Sequence, residues 1–128
     1  MKRHNELNEF YNILNKMVII ACKKNLRLVI ENPYMQPHYL TTYWCIKPGI
    51  IDLDRTENGD YYKKPTQYFF INFKPQNNLV WECLEYVETK RVAKLKNHND
   101  ISVKTQRSMI HPQYASRFIR QYLIEEEQ

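Results

Sequence analysis

A chain of 128 residues with 43% hydrophobic and 13% aromatic side chains is long enough for one hydrophobic core and too apolar to be disordered by composition. Its longest apolar run, Met17 to Cys22, falls far short of the roughly 18 residues of a membrane helix, and the polar start Met1-Lys2-Arg3-His4-Asn5-Glu6 lacks a signal-peptide core, which points to a cytoplasmic protein with no membrane partner. The net charge of +5 is unevenly spread: residues 1–88 nearly balance, whereas residues 89–120 carry Lys90, Arg91, Lys94, Lys96, Lys104, Arg107, Arg117 and Arg120 against Asp100 alone.

The first element predicted is a helix over Glu6 to Lys24. Leu7, Phe10, Tyr11, Leu14, Met17, Val18 and Ala21 recur at spacings of three and four, which lines one helical face. Lys23 and Lys24 suit the negative end of the helix dipole, and Asn25 is an acceptable stop. Leu26 to Ile30 reads as a buried strand of the parallel-sheet kind, closed by Glu31-Asn32-Pro33, because Pro33 lacks a ladder donor. After an aromatic-rich stretch over residues 34–48, Ile50 to Leu53 reads as a second strand. Arg55 to Lys64 reads as a polar loop with an Asn58-Gly59-Asp60 turn, and Gln67 to Phe73 as a third strand. Pro75-Gln76-Asn77-Asn78 has turn composition. Leu79 to Val92 suits strand and helix alike, and Lys94 to Arg107 reads as a basic loop. His111-Pro112 opens a final helix with Tyr114, Phe118, Ile119, Tyr122 and Leu123 on one face. The expected fold is therefore a single small domain over residues 1–128 of α/β or α+β class, with an N-terminal helix, a small sheet and a C-terminal helix.

Three stretches in order carry a resemblance. Leu28-Val29-Ile30-Glu31-Asn32-Pro33 resembles the strand end at which cytosine-5 DNA methyltransferases hold a Glu-Asn pair against the flipped base. A carboxyl group on that edge of the ring makes it a better electron sink. Gly59 to Asn72, with Lys64-Pro65-Thr66 at its centre, is similar to the strand that follows in phage-type members. Arg107 to Ala115 is similar to the lead into their terminal helix. The resemblance spans about residues 26–125 and implies the C-terminal part of a phage-type methyltransferase-like protein. The departures from the family's pattern imply that the catalytic lineage is broken. Neither Gly49 nor Gly59 lies between a strand and a helix in the N-terminal third, where the S-adenosylmethionine turn belongs. The family's nucleophile sits in a Pro-Cys loop, whereas Cys22 follows Ala21 in a helical pattern. Glu31 and Asn32 are thus relic candidates, and no cofactor is expected.

Other chemistries are weaker in the sequence. Three isolated cysteines, Cys22, Cys45 and Cys83, make neither a disulfide framework nor a zinc site, and Cys22 and Cys45 are expected as small buried hydrophobes. Glu88-Thr89-Lys90 with Asp52, Asp54 and Asp60 has the composition of a magnesium nuclease, but a solvated charged strand explains it more simply, and no metal is expected. The four histidines, at 4, 38, 98 and 111, are dispersed.

Tyr61 and Tyr62 beside Lys63 and Lys64 combine ring faces with phosphate partners. With the cations of residues 89–120 they form the expected nucleic-acid-binding set. The sequence thus points to a non-enzymatic phage or mobile-element protein that binds nucleic acid or a host nucleoprotein in the host cytoplasm, such as an inhibitor of an RNA-guided defence nuclease. The alternative is one subunit of a split cytosine methyltransferase, completed by a partner chain that supplies cofactor site and nucleophile.

Overall fold

A computed structural model describes the backbone of residues 2–35, 44–91, 95–96 and 101–125, and their side chains from residue 8 onward. Helix α1 spans Lys2–Lys24, strand β1 Leu28–Pro33, strand β2 Ile50–Asp52 and strand β3 Thr66–Ile71. A 3₁₀ turn over Arg55–Asn58 lies between β2 and β3. Helix α2 covers Val103–Ser108 and helix α3 Pro112–Phe118, and α3 runs on as a π-turn over Ile119–Leu123.

The three strands form one sheet in the order β1-β3-β2, and both pairings are antiparallel. This is an α+β fold, with α1 on one face of the sheet and α3 on the other. The register explains the layering. Leu28 lies opposite Ile71 and Ile30 opposite Phe69, so alternate residues of both strands point to α1. There they meet Leu14, Ala21 and Trp44 in the main core, with the Trp44 ring 4.8 Å from that of Phe69. The other alternation sends Tyr68 and its neighbours toward α3, where the Tyr68 and Phe118 rings are 4.4 Å apart. Covered on both faces, β3 is buried at every position but Phe70, and after the buried polar pair Thr66-Gln67 its sequence is a continuous apolar and aromatic run from Tyr68 to Ile71.

The junction of α1 and β1 is built by two asparagines with left-handed backbone. Asn25, at φ 53°, ends α1, while the Leu26 N–H returns to the Ala21 carbonyl at 2.8 Å and the Asn25 N–H to that of Cys22. Asn72, at φ 68°, donates its side-chain amide to the Ala21 and Leu26 carbonyls at 2.9 and 2.8 Å, locking the end of β3 to the end of α1. The other end of the fold is closed by α3. His111 is its N-cap, with Nδ1 accepting from the Gln113 N–H at 3.0 Å, and Pro112 takes the first helical position.

Several expectations are corrected. The first strand is not in a parallel sheet, and it continues through Glu31-Asn32-Pro33 instead of ending there. Pro33 is opposite Thr66 on an outer strand, where its missing N–H costs the ladder nothing on the free side. Cys22 and Cys45 are exposed, as is Cys83; Cys22 lies in the last turn of α1, where its thiol donates to Asn72 Oδ1 at 3.5 Å at the rim of the fold and does not enter the core. Residues 75–78 make no turn. They run extended along the end of α3, where the Gln76 and Asn78 N–H groups bond the Tyr122 and Gln121 carbonyls at 2.8 and 2.9 Å. Residues 79–91 are neither strand nor helix, and the basic stretch ending at Arg107 contains α2, N-capped by Ser102.

Candidate nucleic-acid interface

The loop from Gly59 to Pro65 is held by a buried ion pair. Arg55 and Asp60 are 3% and 0% exposed, and Arg55 Nε donates to Asp60 Oδ2 at 2.7 Å. The other carboxylate oxygen, Oδ1, accepts the Tyr61 N–H at 2.8 Å and the His111 N–H at 2.9 Å. The Arg55 guanidinium also lies over the Tyr114 ring, 4.9 Å from its centroid. One carboxylate therefore joins the 3₁₀ turn, the Tyr61 loop and the start of α3. Gly59 sits beside it at φ 88°, and an added Cβ would fall 2.5 Å from Gln113 Nε2. That amide donates to the Gly59 and Glu85 carbonyls, and Gln113 Oε1 accepts the Glu85 N–H. The extended segment 74–91 is thereby pinned to the same corner, and the Lys90 N–H closes it onto the Tyr61 carbonyl at 2.8 Å.

This corner gathers many of the predicted cations. Lys90 Nζ stands 5.5 Å from the Tyr61 ring centroid, and the Tyr61 ring lies 5.0 Å from that of His111. Lys64 is half-buried, with Nζ 5.3 Å from the Tyr62 ring centroid. Burial pushes the Lys64 ammonium below its ordinary pKa, and the nearby charges of Arg55 and Arg107 add to that, while Glu31 opposes it. Arg107 and Lys104 are exposed on α2, and α2 is tied to the backbone of Lys96 by the Gln106 side chain at 2.7 Å. Lys63, Lys90, Arg91 and Lys96 are exposed. Among the described residues, none of Lys63, Lys64, Lys90, Arg91, Lys96, Lys104 and Arg107 is in an ion pair.

Other predicted members fall elsewhere. Tyr62 is 2% exposed and belongs to the interior, so its ring has no face to offer a base. Arg120 is engaged by a two-pronged pair with Glu82, whose carboxyl it holds below the usual range, and its Nε turns back to Ser116. Arg117 lines a cavity on the β2 side of α3. Lys94 lies outside the described residues. Glu31 is exposed and faces the α3 side opposite Tyr68, whereas Asn32, one residue on, faces the α1 side opposite Gln67.

The cavity beside Arg117 has a volume of about 300 Å³ and is lined by Asp52, Tyr68, Tyr114, Phe118 and Tyr122 among others. The Tyr114 hydroxyl donates to Asp52 Oδ2 at 2.8 Å, so the Tyr68 hydroxyl, 2.8 Å from it, is the donor to Tyr114. Burial is the main cause that pushes Tyr68 up to about 12 and Tyr114 well above the usual phenol range, where the Tyr68 hydroxyl and the Asp52 charge also contribute. Two phenols that keep their protons far above neutrality bind and brace, and they are poor proton acceptors. The aspartates of the metal-nuclease reading are likewise committed to the fold. Asp52 takes the Tyr114 hydroxyl and the Asp54 N–H, Asp54 caps the 3₁₀ turn through the Thr56 N–H, and Asp60 holds Arg55. Among the described residues no group of three or more His, Cys, Asp or Glu is placed to hold a metal ion.

The sequence did not reveal two exposed rings on the extended segment, Trp81 and Tyr86, which are 84% and 91% exposed. Their signal was hidden because 79–92 has no regular periodicity. Among the described residues no helix is long and apolar enough to cross a membrane. Comparison of the chain with family models, with curated proteins and with solved structures finds no match.

Proposed function

We propose that the chain is a non-enzymatic nucleic-acid-binding protein whose contact surface is the corner formed by the Tyr61–Lys64 loop, the end of the extended segment and α2. The observation that carries this reading is the contrast between two sets of cations. Arg27, Arg55 and Arg120 have carboxylate partners at Glu125, Asp60 and Glu82, whereas Lys63, Lys64, Lys90, Arg91, Lys96, Lys104 and Arg107 have none among the described residues. Burial is the main cause that depresses Lys64, and a phosphate would offset the repulsion from Arg55 and Arg107 that adds to it. Tyr61 beside Lys90 adds a ring at the edge of the cationic surface, which suits single strands with unstacked bases.

The methyltransferase-like reading, proposed from Glu31-Asn32-Pro33, the Lys64-Pro65-Thr66 strand and the Arg107–Ala115 stretch, gives this surface a context. A protein that keeps the substrate-facing part of such an enzyme fits the role of a blocker in a phage or mobile element, competing for nucleic acid with a host nuclease complex.

The test is binding of labelled single-stranded and duplex oligonucleotides over a salt series. Affinity is expected to fall steeply with salt, with a log–log slope of about −0.7 to −0.9 per phosphate neutralised. A variant with Lys64, Lys90, Arg91 and Arg107 all changed to Ala should bind at least tenfold more weakly with a shallower slope. Arg27→Ala should leave binding unchanged, and Glu31→Gln should not weaken it. Binding that survives the fourfold variant, or no binding at low salt, overturns the proposal and turns attention to a protein partner, the missing half of a split methyltransferase included.

A further inference from the structure

Helix α1 carries more apolar surface than its own fold uses. Leu14 and Ala21 are buried against the sheet, with Tyr11 and Val18 partly so. Phe10, Ile13, Met17 and Ile20 are 44–60% exposed. Their spacing is three, four and three, so at about 100° per residue they share an arc of roughly 80°. This is the a/d repeat of a helix that packs on another helix. The Trp44 side of the core does not cover it, because Trp44 Nε1 donates to Asn15, on the opposite flank of α1.

We propose that two copies of the chain associate through this stripe, with the two α1 helices packed antiparallel about a two-fold axis. The charges beside the stripe select both the occupant and the direction. On the side toward the sheet the flanking positions are Leu14 and Ala21. On the other side they are Glu9, Lys16 and Lys23, all exposed. A parallel pair brings Glu9 and Lys23 against the apolar flank of the other copy and leaves both uncompensated. An antiparallel pair sets Phe10 against Ile20 of the second copy and Ile13 against Met17. It places all three charged positions along one edge, with Glu9 of each copy facing Lys23 of the other. The interface is self-complementary, as a two-fold contact requires. Only Lys16 meets its own copy, on the axis, a like-charge contact that salt screens. The stripe is small, so the association belongs in the micromolar range or weaker.

Sedimentation velocity over a micromolar to submillimolar concentration series tests this. The wild-type chain should pass from monomer to dimer, and Ile13→Asp with Ile20→Asp should abolish the transition. Because these two positions are exposed, helix content is expected to persist in circular dichroism. The decisive arm uses charge reversal. Glu9→Lys alone and Lys23→Glu alone should each weaken dimerisation by roughly tenfold, since each turns two attractive pairs repulsive. Equimolar mixing of the two single variants should restore it, because every Lys at either position then faces a Glu. Glu9 and Lys23 are 14 positions apart on one helix, about 21 Å, so restoration cannot arise within a chain. A chain that stays monomeric throughout overturns the proposal, and so does a mixture that associates no better than its components.

Discussion

Asp60 joins three separate parts of the chain through one buried carboxylate. A carboxylate removed from water is tolerated because all of its capacity is used, on Arg55, the Tyr61 N–H and the His111 N–H. Removing it strands a buried guanidinium and two amides, so Asp60→Ala should destabilise the chain by about 3–5 kcal/mol in urea unfolding. Its neighbour Gly59 is constrained differently. At φ 88° an L side chain is strained by about 1–2 kcal/mol, and its Cβ would displace the Gln113 amide from the Gly59 and Glu85 carbonyls. Gly59→Ala should therefore lower stability and loosen residues 85–90 in hydrogen exchange. Tyr68 makes a pH prediction with a definite sign. An unfolded phenol ionises near pH 10 and the folded one at about 12, so within this window unfolding releases a proton. The stability from the neutral Tyr68 is fully present below pH 10 and is lost as pH rises toward 12. Urea melts through this range should show a steep fall that Tyr68→Phe makes shallower.

The terminal helix shows how an element too short to stand alone is secured at both ends. Helices of seven residues are unstable in water by themselves. Here the first turn is capped by His111 and the last carbonyls are taken up by a separate segment. Asn78 donates its side-chain amide to the Arg120 and Ile124 carbonyls, while its N–H and that of Gln76 bond Gln121 and Tyr122. Asn78→Ala should cost about 1–3 kcal/mol and raise exchange in the last turn while sparing β3. The Ile124 N–H reaches back five residues to Ile119, so the chain leaves the helix through a π-turn that opens its carbonyls to that segment. The central strand is the converse case. Phe69 is fully buried against Trp44, and Phe69→Ala should cost about 3–5 kcal/mol, loosening both faces of the sheet together.

At the scale of the whole molecule, the sheet separates two surfaces. The edge of α1 presents an apolar stripe flanked by Glu9, Lys16 and Lys23, whereas the Tyr61 corner and α2 present cations that have no carboxylate partner among the described residues. Arg120 and Arg27 belong to neither, since Glu82 and Glu125 neutralise them. Salt should consequently act with very different strength on the two proposed contacts. Raising salt is expected to weaken oligonucleotide binding by orders of magnitude, while leaving association through α1 within a few-fold, because that contact is mainly apolar. Measuring both on one preparation over the same salt series checks this separation.

The order of α1, the three strands and α3 was legible in the sequence because each rested on a local signal, whereas α2 was read as loop. The 3.6-residue periodicity of α1, Asn25 as its stop, the aromatic and β-branched run of β3 and the His111-Pro112 helix entry need only neighbours along the chain. The concentration of charge in residues 89–120 was equally plain. Tertiary structure decided what depends on partners distant in sequence. The antiparallel pairing of β1 turns on β3, some 38 residues later by register, and no property of Leu28–Ile30 encodes it. The same holds for the cations, which the fold divides into those that meet a carboxylate and those that do not. Arg107 and Arg120 are alike in sequence, and the fold gives Glu82 to one and leaves the other exposed. Local propensity sets which residues form a helix or a strand, whereas long-range packing sets which charges are paired within the molecule and which stay at its surface.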